Sequence, residues 1–432
     1  MDAKSSAPLS TAWLGVLCLV VAVVSLTWQG WDMFGARHRS LLKGWDDSFY
    51  YFWLPSVVID HDLDFTNQLA DSGAFNEEIR HYALSQPPTP SGLMPNKYPP
   101  GWALGSLPFF LLAHAFAPEH STGFEPIYVT AVWAGQLLYA GLGLWLASVI
   151  IARYFSPSIA RAAVLVGWLV SPLIYYQTVR LAMSHSQLFT LGMAVFWLSL
   201  EIEEREARTR HWALLGFCAA FLFITRNVAI VYLVLPGIVA VRKLRSLRAV
   251  AAVVLGAALP LLIQIGAWRI LFGSWLVHSY GGERFDFAEL HLAEVLFSPR
   301  HGWFYWHPLL LPAIAAFAFW ARNRVAGRAW LISFFLIVVL NAAWSTWWLG
   351  LSFGYRGLEI SIFFAMVGLA TLLQAAGNHP LMRRVLQVVI VVAIVWNLLL
   401  LALFITHRIP SEEAVTYGDV CRATLDWLGL AG

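Results

Sequence analysis

The sequence predicts an all-α, polytopic membrane protein, and three observations carry that prediction. The 432-residue chain is 59% hydrophobic and only 12% charged, where a soluble domain carries about a quarter charged residues. Its mean hydropathy is +0.65. Apolar segments of roughly 17–25 residues, each long enough to cross about 30 Å of hydrocarbon as a helix, recur along the chain. The 22 Trp suit a chain with membrane–water interfaces. The formal net charge of +3 says little about partners, because charge in such a chain acts by side. Membrane lipids are the expected surroundings, and nucleic acid is not an expected partner. Cys18, Cys218 and Cys421 are far apart and form no disulfide framework or metal pattern.

The first apolar stretch, Thr11 to Trp28, follows Lys4 and precedes no small-x-small cleavage site. It reads as an uncleaved first span and not as a removed signal peptide. Further spans are expected at 126–152, 160–178, 186–200, 212–225, 228–241, 248–272, 306–321, 329–345, 358–376 and 385–406. The segment 101–118, GWALGSLPFFLLAHAFAP, is ambiguous, and the positive-inside rule decides it. If it lies in the interface, Arg153, Arg161, Arg205, Arg208, Arg210, the cluster from Arg242 to Arg248, Arg322 to Arg328, Arg383 and Arg384 all fall on the cytoplasmic side. If it spans, all of them fall outside. Pro108 and the flanking glycines also suit an interfacial helix. The expectation is therefore one membrane-embedded domain of about eleven spans, with N-terminus in and C-terminus out. Its outer parts are a long first loop (29–125), a second loop (273–305) and a tail (407–432).

This orientation gathers the unusual residues on the outer face. GWDDSFYYFW, residues 44–53, sets Asp46 and Asp47 side by side before a run of aromatics that includes Tyr50. A carboxylate at a membrane–water boundary is partly desolvated, which raises its basicity and suits a general base. Read alone, the pair is better taken as a solvated helix N-terminus. NKYPPG, residues 96–101, holds Lys97 and Tyr98 at a stiff turn. Arg180, His185 and Arg226 lie at the outer ends of hairpins, and Arg300 and Arg356 in the last two outer loops. Any one arginine there suits snorkelling to headgroups, and His185 alone suits a packed histidine. Several basic side chains on one face suit an anion, and phosphate above all, because guanidinium holds it bidentately. Trp344, Trp347 and Trp348 fit an interfacial aromatic belt. The acidic run DHDLDF, 60–65, reads as a solvated loop, and EIEEREARTRH, 201–211, as a charged cytoplasmic face.

The acidic pair, DHDLDFTNQ, KYPPG, FSPRHGWFYWHP (297–308) and WWLGLSFGYRG (347–357) occur in that order. The ordered set resembles the GT-C class of bacterial integral-membrane glycosyltransferases, in the branch related to protein O-mannosyltransferases and lipid A aminoarabinose transferases. The resemblance implies transfer of one sugar from a polyprenyl-phosphate donor to a lipid, glycan or protein acceptor, outside the cytoplasmic membrane, with inversion at the anomeric carbon. It implies that Asp46 activates the acceptor hydroxyl and that Asp47 supports it. Tyr50 matches a recurrent aromatic, and Arg300 and Arg356 match recurrent positions. Lys97 is the nearest match to a phosphate-binding lysine, displaced by Tyr98 from the prolines. Phe49 stands where some relatives carry an arginine.

No cofactor is implied outright, and a divalent cation on Asp46 and Asp47 stays open. Two other readings also remain. One is an O-antigen ligase or polymerase, which the acidic pair and long first loop disfavour. The other is a transporter or flippase of lipid-linked sugars. The spans are nearly free of Asp and Glu, which disfavours it. Glu359 is the exception, three residues after Arg356 and so placed for an ion pair.

Overall fold

The computed structural model describes residues 10–29, 42, 44–72, 77–205, 208–377 and 379–430. Lys4, parts of the first outer loop (30–41, 43 and 73–76) and residues 206–207 of the charged run lie outside the described residues. Among the described residues the regular structure is helical, apart from one isolated antiparallel bridge between Phe285 and Trp344.

In chain order the helices begin with α1 (Thr11–Gln29), α2 (Trp45–Pro55), α3 (Thr66–Asp71), α4 (Glu77–Ser85), α5 (Gly101–His114) and α6 (Pro126–Ile151). They continue with α7 (Pro157–Leu169), α8 (Leu173–Thr178), α9 (His185–Glu204), α10 (Thr209–Thr225), α11 (Val234–Lys243) and α12 (Leu247–Phe272). The last are α13 (Leu292–Phe297), α14 (Trp303–Trp306), α15 (Leu310–Ala321), α16 (Val325–Ala342), α17 (Ile362–Gly377), α18 (Pro380–Ile405) and α19 (Tyr417–Trp427). Five of them, α1, α6, α12, α16 and α18, are long and apolar enough to cross a membrane, and α5, α7, α10, α15 and α17 are shorter apolar helices. With the composition, these make the chain a multi-pass membrane protein.

Every expected span is helical, with differences in detail. The segment 160–178 is broken into α7 and α8. A break inside hydrocarbon frees backbone carbonyls that need partners. Asn397 of α18 supplies them, donating to the carbonyls of Leu169 at 2.7 Å and Ser171 at 3.1 Å. The segment 228–241 opens as a 3-10 turn, Asn227–Leu233, before α11. The ambiguous 101–118 segment ends its helix at His114 and so spans only about 21 Å.

The chain divides into two compact units. One holds Thr11–Trp145 and Tyr176–Gly282, and the other Leu146–Tyr175 and Glu283–Gly432. In the first, α10 packs on α12, α9 and α5, and α2 packs on α5. Gly216 and Gly256 permit the α10–α12 approach. A Cβ there would lie 2.2 Å from the Val253 carbonyl oxygen and 2.0 Å from that of Ala213. Small residues at such crossings are how helices pack in lipid, where apolar burial gives no drive. In the first unit, Ser25 of α1 also donates to the Thr178 carbonyl at 2.6 Å, and Trp133 of α6 to the Ser25 hydroxyl at 3.2 Å. In the other unit α17 packs between α15 and α7, and α19 is laid down by Tyr417, whose ring stacks on Tyr305 at 4.4 Å.

Candidate active site

Helix α2 carries the two carboxylates in its first turn, where aspartate meets the positive end of the helix dipole favourably. From Asp47 to Pro55 every residue of α2 is buried, whereas Asp46 is half-buried. Adjacent positions on a helix point about 100° apart, so one carboxylate faces the interior and the other the rim. Asp47, fully buried, pairs with Arg180 of the α8–α9 turn, Oδ2 to Nε 2.7 Å. A charge taken out of water needs such a partner, and Arg180 is itself only 12% exposed. Asp46 accepts a hydrogen bond from the Tyr98 phenol on its Oδ1.

The NKYPPG stretch is laced to α2 by two further bonds. Asn96 donates to the Phe49 carbonyl at 2.9 Å, and the Trp53 indole donates to the Tyr98 carbonyl at 3.2 Å. The Tyr50 and Tyr98 rings lie 4.7 Å apart. Burial, and next the charge of Asp46, push the Tyr98 phenol well above its ordinary value. It therefore stays a protonated donor across the physiological range. A carboxylate has about four acceptor positions, and the phenol takes one.

Lys97, half-buried, holds its ammonium 5.6 Å from the Tyr98 ring centre and 5.3 Å from that of Tyr280. Both distances are within cation–π range. Ser279 donates to the Lys97 carbonyl at 2.8 Å. The start of α5 is fixed by Gly101, where a Cβ would come 2.4 Å from the Ile224 carbonyl oxygen. Gln187 of α9 donates to the Gly101 carbonyl at 2.9 Å. Arg226 is half-buried at the end of α10, two residues beyond that approach. His185 opens α9, buried, with its ring 4.2 Å from that of Tyr176.

The structure thus brings Asp46, Asp47, Tyr50, Lys97, Tyr98 and Arg180 together on one unit. Arg300 and Arg356 belong to the other. Arg300 donates to the Glu412 carbonyl at 2.6 Å and lies 4.2 Å over the Trp348 ring. Next to it, His301 is buried in a left-handed conformation, φ 65°, with its two ring nitrogens 2.9 Å from the Trp348 carbonyl and 3.1 Å from that of Ser411. Burial lowers its pKa to about 4 against the pull of those carbonyls, and the Arg356 and Arg300 charges lower it further. Arg356 opens a 3-10 turn ahead of the buried Glu359.

Three participants were not singled out by the sequence reading. Asn96 and His301 lie inside quoted motifs, and only the fold reveals their bonds. Tyr280 had one signal, an aromatic ahead of a Gly-Gly turn in the second outer loop. Among the described residues, no group of three or more His, Cys, Asp and Glu is arranged to hold a metal ion.

The chain is similar in structure to ArnT. One matched structure is ArnT from Cupriavidus metallidurans bound to undecaprenyl phosphate, at TM-score 0.49 and 14% identity, covering 84% of this chain and 60% of that one. Another is the same protein in the apo state, at TM-score 0.48 and 12% identity, covering 84% of this chain and 59% of that one. The chain therefore spans about three-fifths of the length of these neighbours. No protein-family model matches the sequence, and no curated protein matches it.

Proposed function

We propose that the protein is an inverting glycosyltransferase that moves one sugar from a polyprenyl-phosphate donor to an acceptor hydroxyl. The observation that carries this reading is the split of the acidic pair. Asp47 is neutralised and locked by Arg180, while Asp46 stands at the rim, aimed by Tyr98. Such a pair has one structural member and one member placed to react.

In the reaction Asp46 takes the proton of the acceptor hydroxyl as the acceptor oxygen bonds to the anomeric carbon. The bond from that carbon to the phosphate oxygen breaks, and its electron pair leaves with the phosphate. Attack from the face opposite the leaving group inverts the carbon. The polyprenyl phosphate departs with one more negative charge than it carried in the donor, and Asp46 passes its proton to solvent. The protein's main task is to hold the two substrates and to stabilise that new charge. Lys97 is the cation we assign to the phosphate. Arg180 acts instead through Asp47. The orientation read from the sequence, about eleven spans with the N-terminus inside, places this chemistry at the outer face of the cytoplasmic membrane.

The test is transfer in isolated membranes, with labelled hexosyl and pentosyl polyprenyl phosphates. Asp46→Asn and Asp46→Ala should each lose about 10²–10⁴-fold in rate, the worth of a positioned general base. Full activity in both at normal expression removes the proposed base. The same assay with a diphosphate-linked glycan separates this reading from a ligase, which uses that donor. The mass gained by envelope fractions of a producing strain over a deletion strain identifies sugar and acceptor together.

A further inference from the structure

A second feature of the unit that holds Asp46 lies at the opposite ends of α9 and α10. Arg205 just past α9, Thr209 and Trp212 in the first turn of α10, Lys243 at the end of α11, and Arg245 and Ser246 between α11 and α12 line a cavity of about 300 Å³. That is the volume of roughly ten waters, more than a bare phosphate fills. Of the described residues that line it, three are cationic and none is acidic. Arg205 also pairs with Glu201 at 3.0 Å along α9. Helices α10 and α12 both present their N-terminal turns to the cavity, so their partial positive charge adds to that of the side chains. Trp212 gives it one aromatic wall.

What continues from the cavity decides the kind of ligand. Helix α12 starts there and is one of the five helices able to cross the membrane. On one side it exposes Leu247, Val250, Val254, Leu255, Leu259 and Leu262 in succession. A basic cavity at the head of a membrane-crossing helix whose other side is exposed and apolar matches a molecule with a phosphate head and hydrocarbon tails. Basic pockets between transmembrane helices recognise lipid headgroups on these grounds.

We propose that this cavity is a binding site for an anionic phospholipid. Its phosphate sits among Arg205, Lys243 and Arg245, and its acyl chains run down the exposed side of α12. The site is independent of the transfer reaction, and it stands whether or not the glycosyltransferase reading does.

The test uses the full-length protein, purified and delipidated in detergent. Phosphatidylglycerol, cardiolipin, phosphatidylcholine or inorganic phosphate is then added, with native mass spectrometry for adducts and thermal melting for stabilisation. The two anionic lipids should give retained adducts and raise the melting temperature, while phosphatidylcholine and phosphate should do neither. The triple variant Arg205→Gln, Lys243→Gln, Arg245→Gln should lose about a hundredfold in affinity for the anionic lipids. A control with Arg210→Gln and Arg248→Gln, exposed basic residues that do not line the cavity, should keep it. Equal binding of phosphatidylcholine overturns the proposal, as does stabilisation by phosphate alone. Undiminished lipid affinity in the triple variant, or equal loss in the control, overturns it too.

Discussion

The two ends of α9 and α10 use the same residue types in opposite ways. At one end Arg180 is almost buried and committed to a fully buried carboxylate. At the other, Lys243 and Arg245 are exposed and line an open cavity. The 20 residues of α9 separate the ends by about 30 Å, the thickness of a hydrocarbon core. A cation with a buried partner is a structural part that fixes another group. A cation left in water at a concave surface recruits a ligand. Burial and partner, rather than residue type, decide which role an arginine takes.

The largest stability effect should come from breaking the buried pair. Asp47→Ala or Arg180→Ala strands a charge away from water, which costs about 3–5 kcal/mol. The double variant Asp47→Leu with Arg180→Met removes both charges and should recover much of that loss. Arg245→Gln at the other end, a surface change, should stay within about 0.5 kcal/mol of wild type. Thermal unfolding in one detergent compares all four. Equal losses at the two ends would erase the distinction drawn between them.

A smaller effect belongs to the rim carboxylate. Tyr98→Phe removes one hydrogen bond to a charged group, worth about 1.5–3 kcal/mol. Asp46 is only half-buried and can turn to water, so the lower figure is expected. Alkaline titration checks the cause. The folded phenol is raised above the ordinary value near 10, so the unfolded chain gives up the proton first. Its contribution is therefore complete below about pH 10 and is lost as pH climbs through the folded value. Tyr98→Phe should flatten that part of the alkaline decline, measured as melting temperature against pH.

Much of this was legible in the sequence, for reasons that differ by feature. Hydropathy located the helices because each must bury its backbone polar groups within itself, which ties span to segment. The break at 170–172 was hidden, because the donor that permits it, Asn397, lies more than two hundred residues on. The unequal roles proposed for Asp46 and Asp47 rest on the family resemblance, and the fold adds that their surroundings differ, one half-buried beside Tyr98 and one buried against Arg180. The lacing by Asn96 and Trp53 was not legible, since an asparagine and a tryptophan in a membrane chain have many uses. Nor was the pairing of Arg180, expected among the phosphate binders and found holding Asp47.

The last prediction tests what burial does to a titratable group set beside like charges. Asp47 faces Arg180, but His301 is pressed by the like charges of Arg356 and Arg300. A neutral imidazole carries one N–H, so it can donate to only one of the Trp348 and Ser411 carbonyls at a time. Burial nonetheless lowers its pKa to about 4, and the ring stays neutral in the fold. The unfolded ring takes up a proton near pH 6.5, so the contribution is complete above that value and drains away as pH falls toward 4. At pH 5.5 the cost is about 1.4 kcal/mol. His301→Gln, which keeps one amide donor, should lose that acid sensitivity and melt at nearly the same temperature at pH 5.5 and pH 7. An unchanged acid decline in the variant would mean that other groups set it, and that His301 is not held neutral by its burial.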